Sequence, residues 1–103
     1  MMNEMNAAEM RKKSTENRYK VATANLEQFI NGTNENIKSK ASDGHFSYMT
    51  PIPNEPLWNE YECTESVANY YRNRGFKVTV DNYNFKRTMI ISWLEEGDEN
   101  IEH

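Results

Sequence analysis

One cysteine, Cys63, in 103 residues leaves no internal disulfide framework and no multi-cysteine zinc site. Only two histidines occur, His45 and the terminal His103, too far apart in the chain to suggest a metal pair. The four glycines are scattered singly, so neither a Walker loop nor a Gly-x-Gly-x-x-Gly phosphate cradle is present. Apolar residues never run on for the roughly 18 positions of a membrane span, so no membrane partner is expected. They are also few, at 37% against the roughly 45–50% usual in globular chains. A core that thin favours assembly with another copy. Aromatic residues, at 12%, offset part of the deficit because each ring buries a large area.

The net charge of −4 is unevenly spread. Glu95, Glu96, Asp98, Glu99 and Glu102 crowd the end without a basic residue; setting these five of the 16 acids aside leaves 11 against 12 bases, a body near +1. That balance is not the basic footprint of a general DNA binder, so no strong nucleic-acid signal is present. The opening Met1-Met2-Asn3-Glu4 lacks a basic stretch followed by an apolar run, so no export signal is expected and the cytoplasm is the expected compartment. The pattern predicts one domain over residues 1–94 and an acidic, flexible tail over 95–103.

Asn6 with Glu9 forms a capping-box pattern, with Met5 and Met10 at the staple positions. Tyr19, Ala22, Leu26, Phe29, Thr33 and Ile37 then recur at three- and four-residue steps. The stripe keeps its phase across Asn31-Gly32-Thr33, predicting one helix from about 6 to 43, ended by Gly44 as C′. Such a rod, about 55 Å long, overshoots a body whose radius of gyration should be about 13 Å. Its polar first half, Ala7–Lys20, either frays or packs on a partner, and the expected partner is another copy.

A short strand is expected over His45–Met49. Pro51, Pro53 and Pro56 then predict an extended linker, because each biases its predecessor away from the helical region. Trp58 and Tyr61 either pin this linker to the core or give it a recognition edge. A second helix, capped at Thr64 or earlier, buries Val67, Ala68, Tyr70 and Tyr71 and stops at Gly75, with Phe76 reaching back to Tyr71. Alternation over Phe76–Asp81 and Lys86–Trp93 predicts two more strands around a turn at Asn82-Tyr83-Asn84. The fold class is α+β: a long N-terminal helix, then β-α-β-β with a three-stranded antiparallel sheet covered on one face.

Nucleophile, base and orienting group do not come together in this sequence, so no enzyme and no cofactor are expected. Ser66 has no visible histidine, and Cys63 reads as a buried, inert thiol. What remains is basic and aromatic: Tyr70, Tyr71, Arg72 and Arg74 at the second helix end, Lys77 on the first strand of the hairpin, and Tyr83, Lys86 and Arg87 around its turn and return strand. If hairpin pairing brings Lys77 near Lys86 and Arg87, these residues suit an anionic, base-containing ligand, with charge for phosphate and rings for stacking. The bland alternative is a solvated helix end with its tyrosines in the core.

The chain resembles a loose group of small accessory proteins of tailed bacteriophages. The matching pieces are Asn6-Ala7-Ala8-Glu9-Met10-Arg11, Ile37-x-x-x-Ala41-x-x-Gly44, Tyr48-x-x-Pro51, Val67-x-x-Tyr70-Tyr71-Arg72-x-x-Gly75-Phe76-Lys77-Val78 and Ile91-Ser92-Trp93. The resemblance implies a virus-encoded accessory product in the bacterial host cytoplasm. It would disarm host defence by trapping a nucleotide signal or by sitting on a host protein, the latter through the first helix or the acidic tail. No catalytic residues come with it.

Overall fold

The computed structural model describes residues 5–95. Its elements are α1 (Ala7–Ser42), β1 (Ser47–Pro51), α2 (Pro56–Glu60), α3 (Cys63–Arg72), β2 (Lys77–Tyr83) and β3 (Lys86–Ser92). The architecture is α+β, with a long first helix and a three-stranded antiparallel sheet in the order β1-β3-β2.

Both long helices have the ends their sequences announce. Asn6 accepts the Glu9 N–H at 2.9 Å and satisfies one of the unpaired donors of the first turn of α1. At the other end Gly44 takes φ +88, its N–H donating to the Ala41 carbonyl, while the His45 N–H donates to that of Lys40. Gly75 repeats the arrangement after α3, where the Phe76 N–H donates to the Tyr71 carbonyl and the two rings meet edge to face at 5.6 Å. In both places a left-handed glycine lets the chain reverse while covering the last carbonyls.

α1 runs unbroken through Gly32, as the phase of its apolar stripe predicts. Ala22, Thr33 and Ile37 are buried along it, with Leu26, Phe29 and Ile30 packed at the margin of the core. From Ala7 to Asn17 every residue is exposed. The molecule therefore measures 79 × 26 × 21 Å, with a radius of gyration of 18.9 Å against the roughly 13 Å of a compact chain this long.

β3 is the central strand. Met89 and Ile91 lose all solvent contact beneath the helices, and their neighbour Val78 is buried beside them. Ile90 points to the opposite face, where its β1 partner Met49 is exposed. Two local expectations need correction. β1 starts two residues later than His45 and runs through Pro51, which an edge strand tolerates at its end because no ladder donor is needed there. The proline segment is not extended throughout: Pro56, at the first position of α2, has a φ already suited to a helix and forfeits only an N–H that would lack a partner anyway. α3 takes the earlier of the expected starts, at Cys63 behind Glu62 in the left-handed region, and the Thr64 hydroxyl accepts the Trp58 indole N–H at 2.8 Å.

The joint between α1 and α3 is a buried tyrosine. Tyr71 is 1% exposed and donates its hydroxyl proton to Asn34 Oδ1 at 2.7 Å. Burial is the main force pushing its pKa up to about 12 from a usual value of about 10. Between those values the folded protein keeps a proton that the unfolded chain has released, so the stability contributed is complete below about pH 10 and is lost as pH rises to about 12. Tyr71→Phe is expected to cost about 1 kcal/mol at neutral pH and to flatten the fall in urea midpoint across that alkaline window. Gly32 presents the opposite case: a Cβ built on it meets nothing within 4 Å and its φ is helical, so Gly32→Ala should raise stability by about 1 kcal/mol, read as a higher urea midpoint at unchanged slope.

Candidate ligand groove at the hairpin tip

The eight basic and aromatic residues do not form one cluster. In the β2–β3 register Lys77 stands opposite Ser92, whereas Arg87 stands opposite Asn82 and Lys86 opposite Tyr83. Five to six strand residues separate the two ends, about 17–20 Å at 3.4 Å per residue. A hairpin brings together residues near its turn and parts those near its open end. Lys77 lies at the open end, so the expected approach to Lys86 and Arg87 does not occur.

At the open end the cations are engaged by their own chain. The Arg74 guanidinium lies 3.6 Å from the centroid of the Tyr70 ring and donates to the Tyr70 carbonyl at 2.9 Å. Arg72 donates to the Val78 carbonyl at 3.0 Å and faces Glu65 at 3.7 Å. Lys77 is exposed on the first residue of β2. Tyr71 is corrected outright as a ligand contact, because its ring is in the core and its hydroxyl belongs to Asn34. Tyr70 is half-buried under Arg74, with its hydroxyl 3.5 Å from the Asn34 amide nitrogen. These groups fasten α3 to its surroundings.

The turn is the other end, and it sits one to two residues later than expected. β2 continues through Tyr83, and Asn84 and Phe85 form the two-residue loop with φ +52 and +65. Positive φ at both positions is the pattern of a type I′ hairpin, where Asn is favoured first and Gly second. Phenylalanine in the second position is unusual, because its Cβ crowds the following carbonyl. Its side chain is also fully exposed, at 106%, with Tyr83 at 59% beside it. Two unfavourable conditions thus coincide on one residue, and no buried contact within the chain offsets either.

Beside this tip lies a groove of about 370 Å³. One wall is the Pro51–Asn54 segment, and the other is Asn82, Phe85, Lys86 and Arg87. Position follows from backbone pairing: the Ile52 N–H donates to the Arg87 carbonyl at 3.0 Å, which carries the β1 ladder one step past Pro51 and holds the prolines against the hairpin. Ile52 itself turns into the core, closing the groove floor. No carboxylate is among the lining residues, so the Lys86 and Arg87 charges are not cancelled there. A volume in the range of small-ligand sites, an aromatic face, two cations and the Asn54 and Asn82 amides make a setting for an anion that carries a flat ring.

Of the groove, Lys86 and Arg87 are anticipated by the sequence as ligand contacts, while the placement of its other wall is not; Tyr83, beside the tip, is not among the lining residues. The proline run signals an extended segment and, in one of its two readings, a recognition edge; its place beside the turn follows from the β1–β3 register. Among the described residues no group of three or more His, Cys, Asp or Glu is placed to hold a metal ion, and no helix is long and apolar enough to cross a membrane. The acidic stretch expected to be flexible lies outside the described residues, apart from exposed Glu95.

Phe85→Gly relieves the left-handed strain and is expected to raise stability by about 0.5–1 kcal/mol, measured as the urea midpoint. Comparison with protein-family models, curated proteins and solved structures yields no match to this chain.

Proposed function

We propose that this chain is a non-catalytic binding protein that sequesters a small anionic, ring-bearing ligand, of the nucleotide-derived kind, in the hairpin-tip groove. One observation carries the reading: Phe85, wholly exposed and strained, stands beside Lys86 and Arg87 in a groove without a carboxylate. Each cation can donate charge-assisted hydrogen bonds to phosphate oxygens, worth about 1.5–3 kcal/mol apiece. Stacking of a base on an aromatic ring adds about 1–3 kcal/mol. Together these reach the roughly 8 kcal/mol of micromolar binding only if the groove is preorganised, and the Ile52–Arg87 backbone bond supplies that stiffness. The biological setting we propose is a virus-encoded accessory protein that withdraws a defence signal in the bacterial host cytoplasm. Titration calorimetry with linear and cyclic nucleotides is expected to find a ligand of micromolar or better affinity. Arg87→Ala and Phe85→Ala should each weaken it at least tenfold, whereas Arg74→Ala, at the open end of the hairpin, should leave it unchanged. Heat changes absent across the whole panel would overturn the reading.

A second reading has an observation of its own. Every residue of the Ala7–Asn17 arm of α1 is exposed, which favours a protein contact there. We infer that α1 serves assembly with another copy; the rival is cover of a host protein by the first helix or the acidic tail.

A further inference from the structure

The assembly role of α1 leaves its geometry open, and charge decides it. We infer that two copies lie antiparallel along α1, each setting its basic arm against the acidic chain end of the other; this rests on the reading of α1 as an assembly element.

The arm is a rigid continuation of a held helix. Its last attachments to the body are the Arg18–Glu60 ion pair at 2.6 Å and the edge-to-face contact of Tyr19 with Tyr61 at 5.9 Å. Beyond them Ala7–Asn17 projects by about 16 Å. Over Ala7–Lys20 the helix carries Arg11, Lys12, Lys13, Arg18 and Lys20 against Glu9 and Glu16, and of these bases Arg18 is engaged by Glu60. The complementary charge is at the other end of the chain, where Glu95, Glu96, Asp98, Glu99 and Glu102 stand without a base.

Within one copy the acidic end falls short of the arm's Arg11, Lys12 and Lys13. The Trp93 N–H donates to the Phe46 carbonyl at 3.0 Å, so the chain leaves the sheet beside the C-terminal end of α1. Lys13 precedes Ser42 by 29 positions in α1, about 43 Å along the axis. The eight residues after Glu95 cover at most about 28 Å even fully extended. A parallel pair would lay arm on arm and bring like charges together. An antiparallel pair places each acidic end beside the other copy's arm, and does so twice in a closed, two-fold arrangement.

The seam for such a pair is already uncharged. Ala7, Met10, Ser14, Asn17, Val21 and Ala24 recur at steps of three and four, all exposed, on a side of α1 turned away from Ala22 and Phe29. Full overlap sets the two-fold axis near the helix midpoint, so Ala24 lies close to its own counterpart and Ser14 far from it.

Light scattering of the full chain should give a dimer at 0.05 M salt whose dissociation constant rises at least tenfold in 0.5 M salt, because contacts between exposed charges are screened (about 0.05 and 0.5 M bracket the physiological range). The full-length triple variant Glu96→Gln, Asp98→Asn, Glu99→Gln should weaken the dimer at low salt and lose most of that salt dependence. On oxidation, Ala24→Cys should form a linked dimer and Ser14→Cys should not. Linking of both variants indicates a parallel pair, and linking of Ser14→Cys alone indicates arms that overlap only at their tips; either overturns the fully overlapped antiparallel arrangement, with its contact between arm and acidic end, while leaving assembly intact. A monomer at every concentration overturns assembly as well, and one that also takes up a single host protein through residues 1–20 supports the rival.

Discussion

A mismatch of lengths governs this molecule. The strands of its sheet are five to seven residues long, which is at most about 24 Å, while α1 has 36 residues and extends about 54 Å. One sheet face can bury only the part of a helix that lies over it. The apolar stripe of α1 is filled with large side chains over that span, from Leu26 to Ile37, and gives way to charges and small residues beyond it. The sequence is thus matched to a helix whose second half completes a core and whose first half does not. Everything proposed for the arm begins with that division.

The body under the second half is small, and it relies on a few fully buried groups. Tyr71, Met89, Ile91 and Val67 are its largest side chains without solvent contact. Tyr71 differs from the other three in bringing a hydroxyl into the core, and Asn34 accepts that proton from the middle of α1. A polar atom buried without a partner would cost as much as a lost hydrogen bond or more. The bond therefore does two things at once: it satisfies Tyr71, and it fixes the rotation of α1 over α3. The Tyr48 hydroxyl, accepting from the Asn36 amide at 2.8 Å, repeats the theme between α1 and β1. A chain with few apolar residues orients its long helix partly through such pairs.

Features set by local rules were legible before any coordinates. Asn6, Gly44 and Gly75 each impose a backbone geometry through their own chemistry, so the limits of α1 and the stop after α3 follow from sequence neighbours. Continuity through Gly32 was legible because a helical phase kept on both sides outweighs about 1 kcal/mol of glycine cost. The turn is legible to within one or two residues, but its final position is not, because phenylalanine has no preference for positive φ. The grouping of cations failed for a different reason. Which charges become neighbours depends on register, and register is fixed by matching apolar Val78 to Ile91 across the strands rather than by the charged residues themselves.

The same register explains why the two basic ends differ in what they can do. At the open end of the hairpin the chain enters from α3, so Arg72 and Arg74 have backbone carbonyls and the Tyr70 ring within reach, and their donors are used holding that entry in place. At the closed end no helix arrives. Lys86 and Arg87 meet instead the Pro51–Asn54 segment, whose proline residues bring no backbone N–H and whose lining contributes no carboxylate. A cation left without a fixed partner and an aromatic ring held out of the core reinforce each other as a binding surface, since the first supplies charge and the second area. Of the two clusters, the one at the helix end is therefore used by the fold, and the one at the turn leaves its charges and its ring exposed.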